Sequence, residues 1–186
     1  LIVIALLGVL AAAVLAAINP LEQANRARDT RMRSDASQLL AAIDRYFVTQ
    51  DKFPWVGTGT GQVANNDLAY GFANGRDEPV GICGTDCTST YGALITNNEL
   101  KNEFRNRDFI AKGSDATGVE AIYVGKITGA SSSVYACWVP KSKSERQKAT
   151  KTLTVGNPAL TTTTTVDCAA KTYASLADSC VVCLPQ

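Results

Sequence analysis

Six cysteines pose the first chemical choice in this sequence: Cys83, Cys87, Cys137, Cys168, Cys180 and Cys183. The number is even, and the first 82 residues contain none. An even set confined to the polar part of a chain reads as a disulfide framework made in an oxidising compartment. Zinc is the competing chemistry, because Cys83-x3-Cys87 and Cys180-x2-Cys183 look like two halves of a thiolate site. Those halves lie almost a hundred residues apart and two further cysteines are left over. Zinc modules keep their paired ligands close, so disulfides are the expectation and a metal is not.

Other reactive constellations are absent. The chain has no histidine, which removes Ser–His, Cys–His and His-metal chemistry. Gly125-Lys126 is followed by Ile127 and lacks the spacing of a phosphate-binding loop. The GTGTG run at 57–61 follows no strand signal and is not a dinucleotide fingerprint. Asn65, Asn66, Asp67, Asp77 and Glu78 do not follow EF-hand spacing and read as exposed loop polarity. The expectation is a chain that is not an enzyme, with no catalytic residues, no metal site and no cofactor. Lys plus Arg (18) nearly balances Asp plus Glu (17), so net charge favours neither nucleic acid nor a membrane surface.

The elements that carry these residues begin with a different signal. Leu1 to Ile18 holds no charged or polar side chain. Apolar character all round, over this length, suits a helix in lipid or among other helices, and it is read as a membrane-compatible segment. Gly8 and the alanines from Ala11 to Ala17 would let helix backbones approach closely. Pro20 lacks an amide proton, so a break is expected just before it. Beyond it, Leu21 to about Gln50 reads as an amphipathic helix with an apolar stripe through Met32, Ala36, Leu39, Leu40, Ile43, Tyr46 and Phe47. Glu22–Arg26, Asp29–Arg33 and Arg31–Asp35 are spaced as i,i+4 ion pairs. The run Arg26, Arg28, Arg31 and Arg33 reads as a solvated helix face, with intersubunit or anion contacts as the alternative.

The remainder reads as a polar domain. Pro54 ends the helix, and residues 51–115 read as a connecting loop region with a short helix over Asn98–Arg105. Strand signals follow at Val119–Ile127, Ser133–Val139, Lys151–Val155 and Cys180–Leu184. Ser142 to Glu145 has the spacing of a capping box, and Thr161 to Thr165 reads as an exposed β-prone loop. The predicted fold is α+β: a long N-terminal helix packed on a C-terminal antiparallel sheet with disulfide-bonded loops. The division is an apolar segment at 1–20 and a globular domain at 21–186, the sheet and terminal disulfide region occupying 116–186.

The start LIVIALLGVLAAAVLAAINP, its continuation ARDTRMRSDASQLLAAIDRYF and the DKFP that follows resemble the opening of type IV pilins and pseudopilins. The likeness is close over about the first 54 residues and only a matter of layout afterwards. Mature pilins start with a methylated Phe followed by a Glu within the first turn. Neither is present, and alignment of Ile4-Ala5-Leu6-Leu7-Gly8 places Leu1 about six residues inside such a terminus.

The resemblance implies a structural subunit that polymerises into a helical filament of identical subunits. Leu1, Ile4, Leu7, Gly8, Ala11, Val14, Leu15 and Ile18 would line the filament core, with the helix break at Pro20. The partners implied are the cytoplasmic membrane before assembly, the pilus assembly machinery and further copies of the chain at the bacterial cell surface. Roles in adhesion, twitching motility, DNA uptake or host contact are all compatible, with the stretch Lys141–Lys151 as a phosphate-contact candidate for nucleic acid. A minor pseudopilin and a single membrane-anchored binding domain are the alternatives. Sequence alone does not fix connectivity; the expected pairs are Cys83–Cys87, Cys137–Cys183 and Cys168–Cys180.

Overall fold

A computed structural model describes residues 1–17, 19–162 and 167–185. It is a mixed helical and antiparallel β structure with three disulfides. Helix α1 spans Ile2–Ala17 and helix α2 spans Pro20–Gln50. The predicted single helix with a kink is therefore two helices. Asn19 takes an extended conformation and its side chain accepts from the Glu22 amide at 3.2 Å, so it caps α2. Pro20 fits the first helical turn, where its missing N–H costs nothing. It starts a helix here instead of bending one.

Among the described residues no helix is long and apolar enough to cross a membrane. Helix α1 has 16 residues, which rise about 24 Å against a hydrocarbon core of about 30 Å. This corrects the membrane-spanning expectation for that segment.

Helix α2 ends where the sequence suggested. Asp51 adopts the left-handed region at φ 53° and its N–H returns to the Phe47 carbonyl. The buried face of α2 runs Met32, Asp35, Ala36, Leu39, Ala42, Ile43 and Tyr46, steps of three, one, three, three, one and three. That stripe packs against strand β3 of the main sheet.

The sheet has strands β1 (Tyr70–Asn74), β2 (Ile122–Lys126), β3 (Val134–Trp138) and β6 (Val182–Leu184), antiparallel in the order β1-β2-β3-β6. Tyr123 faces Cys137, and Cys137 faces Cys183, across neighbouring strands. A separate short pair is β4 (Lys151–Thr152) with β5 (Thr161–Thr162). The predicted strand Lys151–Val155 thus falls outside the main sheet. Three short α-turns, α3 (Ala93–Thr96), α4 (Asp108–Ala111) and α5 (Lys143–Arg146), complete the described elements with 3-10 turns at Glu78–Val80 and Asn102–Asn106.

Residues 51–115 are more ordered than a connecting loop. They supply β1, the edge strand. The helix expected over Asn98–Arg105 does not form: Asn98 has φ 61°, and the chain makes α3 before it and a 3-10 turn after it. An aromatic stack runs from the end of α2 into β1, through Phe47, Phe53, Trp55 and Tyr70 with ring centroids 4.5, 5.0 and 4.6 Å apart. Offset ring stacking adds about 0.5–1.5 kcal/mol per pair beyond burial.

The outer edge of β1 is also occupied. Phe72 donates to the Asn157 carbonyl and accepts from the Gly156 amide. A Cβ at position 71 would stand 2.2 Å from the Gly156 carbonyl oxygen, so only glycine admits this approach. All five residues of β2 are buried. Lys126 among them donates from Nζ to the carbonyls of Asn66, Ile127 and Gly129, which makes burial of its charge tolerable.

Candidate functional site

Among the described residues, the feature with no internal partner is the first part of α1. Leu1 and the large α1 side chains Ile2, Val3, Ile4, Leu6, Leu7, Val9 and Leu10 are each at least 60% exposed. Ala11 is exposed too, and nothing lies within 4 Å of a Cβ built at Gly8. Val14 and Leu15 belong to α1 by their backbone, while their side chains lie outside the described part. Ile18 lies outside the described residues altogether. Pro20 is exposed, and Leu21 continues the apolar surface at 69% exposure. Monomeric proteins rarely present a contiguous apolar surface larger than a few hundred Å², so this helix calls for cover by something outside the chain.

A charged network ties the domain to the first turns of α2, which follow that helix. Glu22, in the first turn of α2, accepts from the Lys143 backbone N–H at 3.0 Å and from Arg26 at 3.3 Å. The Lys143 amide is the main reason its carboxyl is held below the usual glutamate range, with Arg26 assisting.

Asp29 is buried. It accepts from the backbone N–H groups of Lys141 and Ser142, from the Ser142 hydroxyl and from Arg28. Arg28 reaches on to the carbonyls of Val119 and Val139 and to Glu120. Burial alone would push Glu120 up, but Lys141 and Arg28 together outweigh it and hold the carboxyl low. The Ser142 hydroxyl also accepts from the Glu145 amide, which caps α5. The reciprocal half of a capping box is replaced, because the Ser142 N–H donates to Asp29.

The arginine run is therefore not one solvated face. Arg28 is bonded inside the domain, Arg31 pairs with Asp108, and Arg33 pairs with Glu145. Of the three expected i,i+4 pairs, Glu22–Arg26 forms. Asp29 turns to the 141–142 segment, and Asp35 faces Arg107 at 3.4 Å. Sequence spacing favours local pairs of a few tenths of a kcal/mol. Buried backbone amides that need an acceptor outcompete them for Asp29.

The six cysteines form Cys83–Cys87, Cys137–Cys183 and Cys168–Cys180. Cys137–Cys183 ties β3 to β6, and Cys168–Cys180 closes the segment before β6. No free cysteine remains among the described residues.

The polar loop residues weighed for calcium build turns. Asn65 accepts from the amides of Asp67 and Leu68, Asn66 bridges Asp51 and Phe53, and Asp67 accepts from Ala130. Asp77 accepts from the Asn74 amide, and burial pushes its carboxyl up. Among the described residues no three His, Cys, Asp or Glu side chains converge as a metal-holding group. Comparison of the chain with family models, curated proteins and solved structures returns no match.

Proposed function

We propose that this chain is a structural subunit of a filament of the type IV pilin kind, assembled through α1, and that it does no enzymatic work. The observation that carries the reading is a uniformly apolar helix, uncovered over its described side chains, followed across a capped break by a disulfide-bonded domain. Such a helix is stable only where other apolar surface surrounds it. Copies of itself offer matching surface on every side, which a single docking groove would not. Gly8 and the small residues near it allow close backbone approach in that packing. Before assembly, the apolar surface of α1 is covered by lipid at the cytoplasmic membrane without spanning the bilayer; afterwards the domain faces the outside of the filament at the cell surface. The disulfides suit an oxidising exterior.

The test is mechanical shearing of producing cells, followed by electron microscopy and N-terminal mass spectrometry of the released material. Filaments composed of this chain, lost when Leu7 is changed to Arg, are the expected result. Recovery of the chain only in detergent, as single copies in both forms, overturns the reading.

A further inference from the structure

We propose that the domain carries a basic collar at the root of α1 that selects anionic phospholipid headgroups. This rests on the reading of α1 as a helix that enters an apolar phase, and it adds the chemistry of the surface beside that phase. The collar is built from Arg26 on the second turn of α2 and from Lys143 and Lys148 on and after α5. The Lys143 backbone is bonded to Glu22, only two residues beyond Pro20. The network around Asp29 and Glu22 thus sets α5 beside the joint between the helices.

The arrangement separates the charges. Arg26 and Lys148 have side chains 59% and 63% exposed, whereas their acidic partners Glu22 and Glu145 are 24% and 18% exposed. Glu120 is 21% exposed and held by Arg28 and Lys141. Each of these acids is turned inward onto an amide, an arginine or a lysine. Lys143 is exposed and its ammonium pairs with no carboxylate among the described residues. Leu1 to Leu21 carry no charged side chain, and the Glu22 carboxylate that follows is engaged by the Lys143 amide and by Arg26.

A surface leaving the apolar helix therefore meets outward cations first. That is the order of a membrane boundary, with hydrocarbon followed by negative headgroups. A uniformly solvated charge run would show its acids equally exposed, and it would have no reason to sit at the joint.

The experiment is flotation of the full chain with two kinds of vesicle, one of phosphatidylcholine alone and one containing about one third phosphatidylglycerol. Wild-type protein is expected to partition at least about tenfold more strongly into the anionic vesicles at low salt, and to lose that excess in high salt. The pair Lys143→Gln and Lys148→Gln is expected to lose most of the excess, about fivefold per lysine, while binding phosphatidylcholine as wild type does. Neither change removes a buried contact, and circular dichroism of the variant checks its fold. A control pair, Lys52→Gln and Lys101→Gln, lies outside the collar and should retain the excess. Equal partition of wild type into both vesicles overturns the collar and leaves the apolar reading of α1 standing. An equal loss in the control pair overturns it as well. No partition into either vesicle overturns both readings together.

Discussion

Replacing Asp29 by Ala should cost this domain about 3–4 kcal/mol. The carboxylate has 2% exposure and takes four donors: the Lys141 N–H at 3.0 Å, the Ser142 N–H at 2.7 Å, the Ser142 hydroxyl at 2.7 Å and Arg28 at 3.1 Å. A stranded buried donor costs about 1–3 kcal/mol. The Ser142 N–H, in a buried residue and bonded to Asp29, bears most of that. The Ser142 hydroxyl can turn toward Ser144, 3.5 Å away. The Lys141 segment is half-buried, so water recovers part of its loss. Arg28 keeps Glu120 and two carbonyls.

Asp29→Asn, which retains one acceptor oxygen, should lose roughly half as much. The assay is equilibrium urea unfolding at neutral pH with disulfides intact, comparing midpoints at a common slope. Amide exchange should also accelerate across residues 141–149, because these amides hang from that carboxylate and from α5. A loss below about 1 kcal/mol, with unchanged exchange there, would refute the account.

Three further outcomes follow from the same structure. Asp35 is buried, its Oδ1 accepts no hydrogen bond, and burial pushes its carboxyl above the usual range despite Arg107. A folded-state pKa above the unfolded value makes the ionised form a cost that grows as pH rises through the folded pKa. Asp35→Asn should therefore stabilise at neutral pH, on the order of 1 kcal/mol, with the difference from wild type closing in acid; denaturation midpoints across pH measure it. Paired Cys→Ala changes should rank by the loop they close, with sequence separations of 46, 12 and 4 for Cys137–Cys183, Cys168–Cys180 and Cys83–Cys87. Chain entropy alone gives losses of about 4, 3 and 2 kcal/mol, read by thermal unfolding. Gly8→Val should leave the melting temperature of the domain unchanged, since the site is open in one copy, but should reduce the yield of sheared filaments if backbones meet there.

The mixed helical and antiparallel architecture was legible because two periods are written plainly. Residues Met32 to Tyr46 repeat at helical spacing, and VYACW at Val134–Trp138 is a run of β-branched and aromatic residues between polar turns. Strand β1 carries no clear sequence signal, because Tyr70–Asn74 is short, contains Gly71 and lies among turn formers. Its strand character comes from pairing with β2 and from the 156–157 segment on its other edge. The helix expected over Asn98–Arg105 fails because the turn after α3 places Asn98 at φ 61°, which ends a helix instead of starting one.

The sequence by itself determined the apolar character of α1, the location of its break and the presence of a cysteine-rich domain, because composition and local backbone sterics fix these without neighbours. Only the tertiary structure decided that Asn19 caps a second helix and that Pro20 begins it. It also decided that Asp29 leaves its i,i+4 arginine for amides more than a hundred residues away, and that Glu22 and Glu145 turn inward while Lys143 and Lys148 stay exposed. The reason is energetic. A surface ion pair is worth a few tenths of a kcal/mol, whereas a buried amide left without an acceptor costs about 1–3, so long-range burial settles where each carboxylate points.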